Sequence, residues 1–322
     1  MGKRILVLGD VNIDLVFSGL AHLPRSEEDI AAQSLESLVG GQGATTSRGL
    51  SRLGFSTSIV ARVGQDENGK RVIRELQADG VDTTGVLIDP KVPTGVTAIL
   101  STGKTRAFAT HLGAIPGISK EDLSPNLLEN TDHVHISSFY MHVELRATIP
   151  RILSEAQDRG ITTSIDPGWD PSEEWQADML RALEHTDVFL PNEREAMTVT
   201  AKPTVAEAMD SLANSVGILV VKRGCRGALL RRGSMALECP SYAVDPIDVT
   251  SAGDVFDAGF LYGYLHDWDM ARTLVFANAC GALATSRFGS LGLMKDTVEV
   301  EEFIESHPLI PPCGPSSKET TK

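Results

Sequence analysis

Short apolar runs alternate with helix-length stretches along most of this 322-residue chain, and that alternation restricts its fold more than any other feature. Arg4–Gly9 and Thr57–Val63 read as strands, and Gly69–Ala78 reads as a helix. Further strands are expected at His133–Ser138, Ile161–Ile165, Val188–Leu190 and Ile218–Val221, with helices at Leu145–Arg159, Glu173–Leu183 and Ala271–Ser286. Buried strands separated by helices imply an α/β fold with a mostly parallel sheet covered on both faces. Two stretches break the rhythm. Leu15–Leu38 is too irregular for a helical crossover, and Thr94–His111 reads as two strands joined at Thr102-Gly103-Lys104. We therefore expect one domain over residues 1–306, with a small β lid built from about 14–38 and 94–111.

In a parallel sheet, ligands gather just past the carboxyl ends of the strands. The first strand runs into Gly9-Asp10-Val11-Asn12-Ile13-Asp14, where Asp10, Asn12 and Asp14 alternate and can share one side. Carboxylates and amides suit sugar hydroxyls, which both donate and accept hydrogen bonds, although a polar turn satisfying its own backbone would look similar. Gly40-Gly41-Gln42-Gly43-Ala44-Thr45 then opens a small-residue helix whose start lets backbone come close to a ligand. Asn192 and Glu195 have the spacing of a capping box after the strand at Val188–Leu190. The densest basic region is Lys222-Arg223-Gly224-Cys225-Arg226-Gly227, in which glycine backbone can approach phosphate oxygens while Lys222 supplies charge.

Asp248-Val249-Thr250-Ser251-Ala252-Gly253-Asp254 leads into an apolar helix marked by Phe256, Phe260, Leu261 and Tyr264. A helix start carries unpaired N–H groups and partial positive charge, and Ser251, Ala252 and Gly253 are too small to keep a phosphate away from them. Asp254, at the same helix mouth, can accept a proton from a hydroxyl held against that phosphate. An anion hole beside a carboxylate suggests phosphoryl transfer to an alcohol.

Composition excludes several other classes. A net charge of -14 opposes nucleic-acid and anionic-membrane binding, both of which need a basic face. No apolar run is long enough to span a bilayer and no signal-peptide pattern opens the chain, so a cytoplasmic location is expected. Cys225, Cys239, Cys280 and Cys313 lack the spacing of a zinc site or a disulfide framework. Residues 307–322 are Pro-rich and then polar, and are expected to form a disordered tail. Neither a G-x-G-x-x-G dinucleotide fingerprint nor a Walker motif is found.

Asp248 to Asp254 resembles the D-T-x-G-A-G-D signature of the PfkB, or ribokinase-like, carbohydrate kinases, with Val249 in place of Thr and Ser251 in place of Gly. The run from Gly40 to Thr45 is similar to the family's G-G-x-G-x-N signature, with Gln42 and Thr45 as departures. Asn192-Glu193-Arg194-Glu195 has the family's N-x-x-E form, and Gly224 and Gly227 match the spacing of its nucleotide loop. The motifs occur in family order over roughly Lys3 to Glu305.

The resemblance implies a ribokinase-like fold and an ATP-dependent kinase of a sugar hydroxyl, with Asp254 as general base and Ala252 and Gly253 in the anion hole. It implies that Asp14, Gly40, Gly41, Gln42 and Thr45 hold the sugar, with Asp10 and Asn12 beside them. It implies that Asn192, Lys222, Gly224, Arg226, Gly227, Gly253 and Asn278 hold ATP, and that Glu195 acts on Mg²⁺ through water. By the same resemblance Asp248, Thr250, Ala284, Arg287 and Gly289 surround a monovalent cation such as K⁺, although Leu293 offers no side-chain oxygen there. A homodimer formed through the lid is implied as well. A nucleoside kinase of the same superfamily and a sugar-binding sensor without turnover stand as alternatives.

Overall fold

The structure, a computed structural model, describes residues 2–103, 105–170, 172–175, 177–287 and 292–309. The chain begins with β1 (Arg4–Leu8), β2 (Asn12–Ser18), β3 (Ser34–Gly40), α1 (Gln42–Arg52), β4 (Ser56–Gly64), α2 (Glu67–Ala78) and β5 (Asp82–Asp89). A hairpin follows, β6 (Gly95–Ser101) and β7 (Arg106–His111). The middle of the chain supplies β8 (His133–Ile136), α3 (Ile149–Asp158), β9 (Thr162–Ile165), α4 (Ala177–Leu183), β10 (Val188–Phe189), α5 (Glu193–Thr200) and α6 (Val205–Leu212). It ends with β11 (Ile218–Lys222), β12 (Ala228–Arg232), β13 (Met235–Cys239), α7 (Ala252–Leu265), α8 (Met270–Ala284) and α9 (Thr297–Ser306).

These strands form two sheets. Nine make the main sheet, in the order β13-β12-β11-β10-β9-β8-β1-β4-β5, parallel except for antiparallel β12 and β13 at one edge. Burial explains the expected apolar runs: in β1, Ile5, Leu6, Val7 and Leu8 are all buried, because helices cover both faces. One core cluster packs α1, α7, α8 and α9 against one face, with Val7, Leu50, Val255, Leu261 and Phe276 among its members. A second packs α3, α4 and α5 against the other, through Leu8, Ile136, Leu153, Met179 and Phe189.

The four remaining strands form the expected small sheet, ordered β3-β2-β6-β7. Its register pairs Asp14 with both Leu38 and Thr97, so the irregular segment and the hairpin build one surface. Several expected boundaries shift for local reasons. The helix expected from Leu145 starts at Ile149, where Pro150 occupies the first turn. The helix expected from Glu173 starts at Ala177, because Glu173 and Trp175 have φ of 57° and 47°, outside helical geometry. Strand β5 was not anticipated; Asp82, Gly85 and Asp89 obscure its alternation at the sheet edge. Near the C-terminus, Leu309 bridges Tyr242 and the His307 ring stacks on Phe303, while residues 310–322 of the expected tail lie outside the described residues.

Candidate active site

Asp254 lies in the first turn of α7, whose N-cap Ser251 makes no side-chain capping bond. The amides at this helix start face a cavity of about 730 Å³, a size suited to a nucleotide. Thr250, Ala252, Gly253 and Asp254 line it from α7 and the loop before it. Asn192 and Glu195 line it from the start of α5, Lys222, Gly224 and Gly227 from the end of β11, Asn278 from α8, and Gln42 from α1. The structure thus brings together residues expected to serve phosphate, base and magnesium. Ser241 to Pro246 complete the wall; no pattern in the sequence marked this loop.

Gly224 and Gly227 both have positive φ, 56° and 81°, and a Cβ on Gly227 would overlap the Cys239 carbonyl. Glycine is therefore required for the turn to close under the cavity. Asn278 donates to the carbonyls of Cys239 and Pro240 at 3.3 and 3.2 Å, which ties α8 to the same wall. Arg226 lies apart: its side chain turns to Glu193.

Lys222 differs from the picture of a lone phosphate-binding cation. Its Nζ lies 2.7 Å from Asp166 Oδ2 and 3.0 and 2.9 Å from the two carboxylate oxygens of Asp257. Burial works against its charge, but Asp166, Asp257 and Glu195 outweigh that and raise its pKa. Burial also opposes the charge of Asp166, yet Lys222 holds its pKa below the usual carboxylate range, whereas burial pushes Asp257 well up. Of the two acids around Lys222, Asp166 is therefore the more readily ionised. Asp257 escaped the sequence reading; an acid three residues beyond Asp254 in an apolar helix was the available signal. Asp166 follows β9 and was legible merely as a polar residue at a strand end.

Asp254 is 8% exposed, and burial, with Asp166 second among the groups raising it, pushes its pKa well above the ordinary value. Asn192 and Glu195 form the full capping box: the Asn192 side chain accepts from the Glu195 N–H, and Glu195 accepts from the Asn192 N–H at 2.8 Å and from Nδ2 at 2.6 Å. Burial raises the Glu195 pKa to about 8. Both Glu195 oxygens are thus already engaged, which fits contact with the water of a hydrated magnesium ion rather than direct ligation. No group of three or more His, Cys, Asp or Glu residues among the described residues could hold a metal ion.

Of the expected sugar residues Gln42 alone is in the lining of this cavity, and the others gather around the end of β1, the start of β2 and the start of α1. Gln42 accepts a hydrogen bond from Ser138. Asp10 accepts from the Gly43 N–H at 3.2 Å, so part of its work is to cap α1. Asn12 Nδ2 donates to Asp14 Oδ1 at 2.9 Å and to Thr97 Oγ1 at 2.7 Å. A Cβ on Gly40 would displace the Asp14 carboxylate, while Gly41 (φ 95°) starts α1 and Thr45 is buried within it. Burial, then Asp10 and Asp248, raise the Asp14 pKa to about 7. Asp10 in turn acts on Asp254, so these acids share one electrostatic neighbourhood.

The set expected around a monovalent cation is mixed. Thr250 donates to Asp248 Oδ1 from N at 2.9 Å and from Oγ1 at 2.5 Å, and Arg106 Nη1 lies 3.5 Å from that oxygen. A second cation on this carboxylate would face the Arg106 charge, so the residues present do not favour one there. Ala284 ends α8, the Arg287 side chain turns to Glu299 at 3.3 Å, and Gly289 lies outside the described residues.

Comparison with known proteins joins these observations. Residues 3–296 match the model of the pfkB family carbohydrate kinases. An ATP-dependent ribose-1-phosphate kinase of Halopiger xanaduensis is 32% identical over 89% of this chain and 93% of its own length. The ribokinase of Bacillus subtilis is 27% identical over 94% of this chain and 99% of its own. Among solved structures, a putative ribokinase II from E. coli in complex with ATP and Mg²⁺ superposes with a TM-score of 0.84 at 26% identity, covering 95% of this chain and all of that one. The fold is accordingly the ribokinase fold, and the chain belongs to the pfkB family of carbohydrate kinases.

Proposed function

We propose that this kinase transfers the terminal phosphoryl group of ATP to a hydroxyl of a pentose, ketohexose or related carbohydrate, with Asp254 as the general base. The observation that carries this reading is a carboxylate and an uncapped helix start meeting at one cavity, which the glycine turn after β11 also lines. Asp254 takes the acceptor hydroxyl's proton, the acceptor oxygen bonds to phosphorus, and ADP leaves. Its raised pKa makes Asp254 a stronger base once ionised. The Ala252 and Gly253 amides stabilise charge on the moving phosphoryl group, a term that rivals the base in a loose transition state. Lys222, Gly224, Gly227, Asn192 and Asn278 hold ATP. Magnesium, when bound, would neutralise phosphate charge, and Glu195 would hold it through water.

Asp14, Asn12, Asp10, Gly40, Gly41, Gln42 and Thr45 hold the acceptor. Their acidity favours neutral hydroxyls. The 32% match to a ribose-1-phosphate kinase supports a second reading, an acceptor that already carries a phosphate. Burial of Asn12 and Thr97 within the small sheet supports its action as a lid that excludes water. On the face opposite Asp14, Leu35, Phe17 and Leu100 form one cross-strand row, and Leu35 is 55% exposed; this supports lid-to-lid pairing in a homodimer. No helix among the described residues is long and apolar enough to cross a membrane, which accords with a cytoplasmic enzyme.

The test is ADP release with Mg-ATP over pentoses, hexoses, sugar acids, sugar 1-phosphates and nucleosides. Acceptor-dependent release with a carbohydrate is expected. A preference for nucleosides would replace the acceptor class, and ATP binding without any acceptor-dependent release would leave a sugar sensor.

A further inference from the structure

Arg106 sits at the start of β7 in the small sheet, 144 residues before Thr250, yet its Nη1 donates to Thr250 Oγ1 at 2.7 Å. Thr250 passes its own hydroxyl hydrogen to Asp248 Oδ1, so the hydroxyl has a lone pair left to accept from the guanidinium. The contact is sheltered: the Arg106 side chain is 27% exposed and that of Asp248 is 6% exposed. On its far side the same loop is fastened to the end of α8, through Ile247 N–H and Asp248 N–H donating to the Thr285 carbonyl. Arg106 therefore grips the near side of a loop whose next residues, Ala252 and Gly253, begin α7.

Sheet register links this grip to the acceptor. Asp14 pairs with Thr97 and Thr97 with Thr110, while Ser101 pairs with Arg106. Residues 97 and 101 of β6 are four apart, so their cross-strand partners Asp14 and Arg106 lie on the same face of the small sheet. One rigid sheet thus presents the acceptor carboxylate and the cation that holds the phosphoryl-binding loop.

We propose that Arg106 is a positioning residue that locks the Asp248–Thr250 loop against the small sheet, so that the acceptor site and the anion hole take up their mutual geometry together. This rests on the phosphoryl transfer proposed above. Arg106 acts through Thr250 and Asp248, and its five donors in a fixed fork suit a hydroxyl and a carboxylate side by side better than an ammonium does.

The test uses full-length enzyme with Arg106→Gln, Arg106→Lys and Thr250→Val. Arg106→Gln is expected to lower kcat about 10-fold or more and to raise the acceptor KM, with ATP affinity held within about twofold, because misplacement rather than lost binding is the defect. Arg106→Lys should recover part of kcat. Arg106→Gln combined with Thr250→Val should cost little more than either alone. Hydrogen exchange without substrates should show faster exchange at residues 248–253 in Arg106→Gln. Unchanged kcat, or a melting temperature that falls while kinetics and loop exchange stay at wild-type values, would overturn the proposal. Failure of the wild type to release ADP with any acceptor would instead count against the functional reading, and the exchange arm would still decide whether Arg106 holds the loop.

Discussion

Lys222 Nζ contacts both carboxylate oxygens of Asp257, at 2.9 and 3.0 Å, one helical turn beyond Asp254 on α7. The cation at the end of β11 is therefore anchored to the same helix whose start is the proposed anion hole. A Cβ on Gly253 would come within 3.6 Å of Lys222 Nζ, so the charge stays close to the phosphoryl position while the acids hold it.

Replacing Lys222 by Met leaves Asp166 and Asp257 buried without their cation. We expect a stability loss of about 3–5 kcal/mol in urea unfolding, because an uncompensated buried charge costs more than the pair contributes. Lys222→Met combined with Asp257→Asn should be less destabilised than Lys222→Met by itself. Equal midpoints for wild type and Lys222→Met would show that the ion cluster carries no such strain.

Asp254→Asn keeps the shape of the helix mouth and removes the proposed base. Turnover should fall about 10²–10⁴-fold while ATP binding, followed by titration calorimetry, persists. A variant that turns over at the wild-type rate would take the base role away from Asp254.

The pH dependence of acceptor use should report Asp14. Burial lifts its pKa to about 7, and the ionised form is the better acceptor for sugar hydroxyls. With a folded pKa raised above the unfolded value, the folded state holds the proton more tightly, so stability declines as pH rises from about 4 towards 7 and then levels off. Above pH 7 Asp14→Asn should therefore be more stable than wild type. In the wild type kcat/KM for the acceptor should climb through about pH 7, and Asp14→Asn should lose that limb as well as most affinity. An unaltered profile in the variant would assign the titration to another group.

Glu195→Gln separates capping from magnesium chemistry. The amide oxygen still accepts from the Asn192 N–H, but the amide nitrogen replaces the oxygen that accepts from Asn192 Nδ2, so one bond is lost and stability should fall by no more than about 1 kcal/mol. The KM for Mg-ATP should rise roughly tenfold if the charge orients a metal-bound water. A large fall in stability with the KM unchanged would reduce Glu195 to its capping role.

Much of the architecture was legible because contiguous residues encode it. The run Ile5-Leu6-Val7-Leu8 is apolar throughout since both faces are covered, and the same reasoning located β4, β8, β9, β10 and β11. Boundaries failed where single residues leave helical geometry, as at Glu173 and Trp175. Strand β5 failed because a sheet edge does not demand continuous hydrophobicity. The Asn192–Glu195 capping box was readable for the opposite reason: its partners are three residues apart and need no tertiary contact.

What the sequence determined by itself, then, was most of the parallel strands with several of the helices between them and the helix start at Ala252-Gly253-Asp254, where local chemistry suffices. The partners of the charged groups were left to the tertiary structure. Lys222 meets Asp257 across 35 residues and Asp166 across 56, and Arg106 meets Thr250 across 144. An ion pair forms when folding removes water from both groups at once, and neither the burial nor the approach of residues so far apart is written in any local pattern.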